Sequence, residues 1–123
     1  MSPQSKAGLA PEHFTRASGA FEAGDPVAGV MFLHLAAEAA VVALAELQGI
    51  ATERQHWRKG QAATELHAHG VLSTDLGPIL GLLNQARKDA SYEGEQPDFG
   101  DWTSEELLSI VEDAVQAAEK STP

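Results

Sequence analysis

At 123 residues the chain has the length of one ordinary domain, long enough to bury a core without help from a metal or a disulfide. It has no cysteine, which excludes disulfides, thiolate metal sites and cysteine nucleophiles and suits a reducing, cytoplasmic setting. The net charge of −10 is lopsided: residues 1–88 carry seven Lys/Arg against eight Asp/Glu, while residues 89–123 carry ten Asp/Glu against Lys120. Repulsion of nucleic acid is therefore concentrated in the last quarter, and a local basic face elsewhere stays open.

Alanine, leucine and glutamate dominate, residues that lose little side-chain freedom in a helix, and no run alternates with the two-residue period of a strand. The expectation is an all-α, four- to five-helix antiparallel bundle forming one domain over 1–123, with an ordered core from about 9 to 120. The polar start Met1-Ser2-Pro3-Gln4-Ser5-Lys6 leads into no apolar segment, so no secretory signal is expected.

The first helix is predicted from about Pro11 to Ala23, with proline in its first turn and Phe14, Ser18 and Phe21 on one stripe. Asp25-Pro26 opens the second as cap and first residue, and Gly49 ends it after Gln48. Val27 to Leu47 is apolar around most of its circumference but contains His34, Glu38 and Glu46. That pattern fits a central core helix better than a bilayer segment, with Val30, Leu33, Ala37, Val41 and Leu44 facing inward.

The third helix, about Glu53 to His69, has Trp57 and Leu66 as anchors and Gly70 as its stop. The fourth spans about Asp75 to Tyr92, buries Leu76, Ile79, Leu80, Leu83 and Ala86, and starts regularly only at Gly77 or Pro78 if the proline breaks it. After a Gly/Pro/Asp loop, Thr103 and Glu106 form a capping box, with Trp102 placed to staple onto Leu107. Leu107, Val111, Ala114 and Ala118 carry the fifth helix to about Lys120.

The order of an apolar helix His34-Leu35-Ala36-Ala37-Glu38, then Gly49, then a short helix opened by His56, then Asn84-Gln85-Ala86-Arg87-Lys88-Asp89-Ala90-Ser91-Tyr92 and a capped last helix resembles the HEPN (higher eukaryotes and prokaryotes nucleotide-binding) domain family over about residues 9–120. The resemblance implies a helical bundle that pairs into a homodimer. Many members of that family are metal-independent ribonucleases, often in toxin–antitoxin pairs, whose motif is an arginine followed after four to six residues by a histidine. Arg87 stands at the arginine position, but after four intervening residues comes Tyr92, and no histidine occurs beyond His69.

That replacement matters chemically. Cleavage of RNA by its own 2′-hydroxyl needs a proton acceptor working near neutral pH, which histidine, at a reference pKa of about 6.5, supplies and tyrosine, at about 10, does not. Arg87 still suits a phosphate, being permanently charged with a rigid fork of donors. On an ideal helix Arg87 and Tyr92 lie about 140° apart, so a joint catalytic role needs an unwound helix end or a second subunit. Otherwise each has a structural role, Arg87 in an ion pair and Tyr92 sealing the bundle end.

Asn84, Arg87 and Ser91 share one helix face and form a candidate phosphate- or ligand-binding stripe, with an ordinary solvated stripe as the alternative. Arg54, Arg58 and Lys59, with His56 and Trp57 among them, make the one basic cluster containing an aromatic, suited to stacking a base and holding phosphates; Trp57 as a bundle anchor is the plainer account. His67 and His69 are turned about 200° apart and do not chelate one ion, and the acidic loop lacks calcium-loop spacing. No metal or cofactor is implied. His34 and Glu38, one turn apart on the central helix, are expected to satisfy each other or groups packed beside them.

The expected function is a non-catalytic or degenerate HEPN-like binding module for a nucleotide or RNA, acting in a toxin–antitoxin-type or regulatory pair with a partner such as a nucleotidyltransferase, and with no membrane partner. The alternatives are a metal-independent endoribonuclease using Arg87, and a ligand-free interaction domain whose acidic C-terminal quarter docks a basic partner.

Overall fold

The computed structural model describes the backbone at residues 4–52, 56–93 and 96–121, and side chains over 8–52, 58–90 and 96–121. The described residues form five α-helices and no strand: α1 (Gln4–Glu22), α2 (Pro26–Gln48), α3 (His56–Ala68), α4 (Leu76–Glu93) and α5 (Ser104–Ser121).

Local chemistry sets most of the boundaries. The Asp25 carboxylate accepts from the Ala28 backbone N–H at 3.1 Å, Pro26 takes the first turn where its missing N–H costs nothing, and Gly49 closes α2 in the left-handed region at φ 70°. Asp75 does the same for α4, its Oδ1 accepting from the Gly77 N–H at 2.8 Å. Pro78 then falls inside the first turn of α4, so the helix starts at Leu76 and needs no later start. At α5 the capping box is reciprocal: Thr103 N–H donates to Glu106 Oε1 at 2.9 Å and Glu106 N–H donates to Thr103 Oγ1 at 3.1 Å. Trp102 stays exposed outside that cap while Leu107 is fully buried.

The start of α1 corrects the sequence-based expectation. The helix begins at Gln4, not near Pro11, and the proline lies in its interior. A proline removes only one intrahelical hydrogen bond, and the helix continues ahead of Pro11 with Ala10 fully buried. Ala10 and Ala17 form the deepest line of α1, with Phe14 and Phe21 packed partly buried around them.

α2 is the axis of the bundle and packs against all four other helices; α1 also meets α5, and α3 meets α4. It is long and apolar enough to cross a bilayer by length and composition, and here its Val30, Leu33, Ala37, Val41 and Leu44 are buried by its neighbours. A Cβ placed on Gly29 would lie 2.8 Å from the Phe21 ring, whereas His13 and Arg16 meet Phe32, so α1 descends as α2 climbs. α3 and α4 also run antiparallel, since Thr64 donates to Asp75 at 2.8 Å and the Gly60 carbonyl faces Gly77.

Candidate functional site

Between α2, α3 and α4 the side chains do not close the space. They leave a cavity of about 360 Å³, at the small end of the ~300–1,000 Å³ usual for ligand pockets. α2 contributes His34 and Glu38, α3 contributes Lys59 and Gly60, and α4 contributes Gly81 and Asn84. The helical period explains the convergence: His34 and Glu38 are one turn apart, and Gly77, Gly81 and Asn84 recur at steps of four and three along the inner edge of α4.

Glu38 is the electrostatic centre. Lys59 Nζ donates to Glu38 Oε2 at 3.0 Å, with side-chain exposures of 23% and 15%, so the pair is shielded enough to outlast the screening that weakens surface pairs. His34, only 4% exposed, holds its Nδ1 3.7 Å from Glu38 Oε1, beyond ordinary hydrogen-bond length. One wall is set by Asn84. Arg87 Nη2 donates to Asn84 Oδ1 at 2.8 Å, and because a guanidinium only donates, the Asn84 atom facing it is the oxygen. The Asn84 amide NH₂ is left as the group available to other acceptors. Arg87 Nε is buried and makes no hydrogen bond among the described residues.

Two glycines line the cavity without a packing reason. A Cβ on Gly81 would meet nothing within 4 Å, and one on Gly60 would meet only the Gly77 carbonyl at 3.9 Å, an ordinary contact. Each glycine inside a helix costs about 1 kcal/mol relative to alanine, so helices α3 and α4 forgo stability at the two places where a side chain would narrow the space. Gly77 differs: its Cβ would lie 2.5 Å from Thr64 Oγ1 and 3.0 Å from the Gly60 carbonyl, so it is needed for the close approach of α3 and α4.

The residues singled out from sequence divide. Asn84 and Arg87 are joined, as their spacing suggested, while the side chains of Ser91, Tyr92, His56, Trp57 and Arg54 lie outside the described residues. The basic cluster is not one face where it is described. Lys59 turns to Glu38, whereas Arg58 lines a separate pocket with Gln61, Glu65 and His69, because consecutive helical residues are about 100° apart. His67 and His69 are exposed; the His67 ring pairs through Nδ1 with the Leu72 carbonyl at 3.0 Å, and no metal-binding group of three occurs among the described residues. His34 and Glu38 do lie together, and Lys59, 21 residues further on, donates to the carboxylate as one of the groups packed beside it. Sequence inspection missed Gly60 and Gly81, although an isolated glycine inside a helical pattern is a recognisable signal.

Comparison with protein-family models, with curated proteins and with solved structures finds no significant match to this chain.

Proposed function

We propose that this chain is a HEPN-like, non-catalytic binding module for a nucleotide or a nucleotide unit of RNA, held in the α2–α3–α4 cavity with Arg87 at its edge. One observation carries this: a polar cavity with both charge signs and an oriented amide, kept open by Gly60 and Gly81 where packing asks for no glycine. Arg87 supplies a permanent cation one turn beyond Asn84, to which it donates, and a permanent cation suits a phosphate. A cytoplasmic setting and a role in a toxin–antitoxin-type or regulatory pair belong to the same proposal and follow from the resemblance alone. So does the homodimer, for which the exposed stripe Val27, Met31 and Leu35 along α2 offers an apolar face.

Calorimetric titration of the full chain with nucleoside monophosphates and short unpaired RNA tests the reading. Binding that is insensitive to chelator, falls steeply with salt and is lost in Arg87→Ala is expected; absence of binding to a cooperatively melting protein would remove it. The endoribonuclease alternative gains one observation, that His34 lines the same cavity as Asn84 and offers an imidazole that α4 lacks. Chelator-resistant RNA cleavage that disappears in both His34→Ala and Arg87→Ala would establish it in place of the binding module.

A further inference from the structure

The charged groups inside the cavity answer one another. Lys59 Nζ donates to Glu38 Oε2 at 3.0 Å, and His34 Nδ1 stands 3.7 Å from the other carboxylate oxygen. A further charge of either sign placed among them would disturb a matched and partly desolvated set, where electrostatic costs are larger than in water. The part of a ligand that enters is therefore neutral, as a base and its sugar are. Gly60 and Gly81 keep the space open, and a volume of about 360 Å³, at the small end for ligand pockets, suits one such unit.

The phosphate then falls to Arg87. Asn84 Oδ1 takes one of its donors at 2.8 Å, and a guanidinium has others to give. The described cations do not continue from there as a track. Arg16 lies over the Phe32 ring at 5.9 Å, between α1 and α2, Arg58 lines the separate pocket with Glu65 and His69, and Lys120 stands in the last turn of α5. Lys88 follows Arg87 in sequence but is turned about 100° round α4. Beyond it, residues 89–123 carry ten Asp/Glu against Lys120. A nucleic-acid strand gains affinity by laying successive phosphates along a row of cations, and the second and third phosphates of a nucleotide have the same need.

Resting on the nucleotide-binding reading above, we infer that the α2–α3–α4 cavity takes a free nucleoside monophosphate, with base and sugar between the helices and the single phosphate on Arg87. Neither a longer RNA strand nor further phosphates on the nucleotide add to its affinity.

The test titrates the full chain calorimetrically with the common ribonucleosides, with their 5′-mono-, di- and triphosphates, and with unpaired RNA dinucleotides, pentamers and decamers. A monophosphate binds about tenfold or more tighter than its own nucleoside, the worth of a charge-assisted hydrogen bond. Its di- and triphosphates bind no tighter than it does, and affinity per nucleotide does not rise from RNA dinucleotide to decamer. Arg87→Ala brings the monophosphate down to the level of the nucleoside. Should that variant fail to fold, the ligand series on the unaltered protein decides alone. Affinity that climbs with phosphate number or with strand length overturns the monophosphate assignment and leaves the nucleotide-binding reading standing. A nucleoside bound as tightly as its monophosphate overturns the place given to Arg87, and the inference with it. No binding of any nucleotide or RNA overturns both the inference and the reading beneath it.

Discussion

The two sides of α2 are packed differently. Towards α1 and α5 the contacts are apolar and close: Leu33, Val30, Leu107 and Val111 are fully buried, the Phe21 ring fills the space over Gly29, and Phe99 stacks edge-on against Phe21 with centroids 6.3 Å apart. Towards α3 and α4 the apolar core continues through Leu66, Leu76 and Leu83, but a polar flank joins it, where Lys59 donates to Glu38 and a cavity remains. A close-packed interior loses stability with every void, so a helical bundle keeps an open polar flank only at a cost. What differs is the use of glycine, to admit a ring on one side and to leave space on the other.

That contrast can be broken by experiment. The largest effect belongs on the tight side: Leu33→Ala is expected to lower unfolding stability by about 3 kcal/mol, measured by urea denaturation, because a fully buried leucine leaves a cavity that its neighbours only partly fill. Next is Gly29→Ala, whose new methyl sits 2.8 Å from the Phe21 ring; a loss of about 1–3 kcal/mol is expected, and an unchanged melt would mean that the ring moves aside freely. Lys59→Met should cost about 1–2 kcal/mol by removing the Lys59 cation from beside the half-shielded Glu38 carboxylate, a loss that shrinks in Glu38→Gln/Lys59→Met if the two residues act as a pair. Thr103→Ala, which removes one arm of the capping box, should cost about 1 kcal/mol and leave nucleotide titrations unchanged, since α5 does not line the cavity. The smallest effect has the opposite sign. Gly81→Ala is expected to raise stability by up to about 1 kcal/mol while weakening nucleotide binding, and the same glycine-to-alanine change then stabilises one side of α2 and destabilises the other.

Much of this fold was legible because its determinants are local. Thr103 and Glu106 are three residues apart and satisfy each other without tertiary help, and Asp25-Pro26 and Gly49 fix the ends of α2 through backbone geometry alone. The inward faces of α2, α4 and α5 followed from spacing, since every residue expected inside those three helices is buried. The start of α1 was not legible, because Pro11 is an ordinary signal for a first turn, whereas here it stands inside the helix, next to the buried Ala10.

The site was legible in halves. Asn84 with Arg87, and His34 with Glu38, are neighbours by helical period. That Glu38 is answered by Lys59 across 21 residues, while Arg58 turns away to another pocket, depends on how α3 lies against α2. The sequence by itself determined five helices, the caps of α2 and α5 and the apolar lines of α2, α4 and α5, because hydrogen bonds within a turn and the 3.6-residue period act over short separations. Only the tertiary structure decided which polar residues share a space, because that follows from helix packing, and it alone distinguished Gly29, pressed by a ring, from Gly81, facing an open cavity.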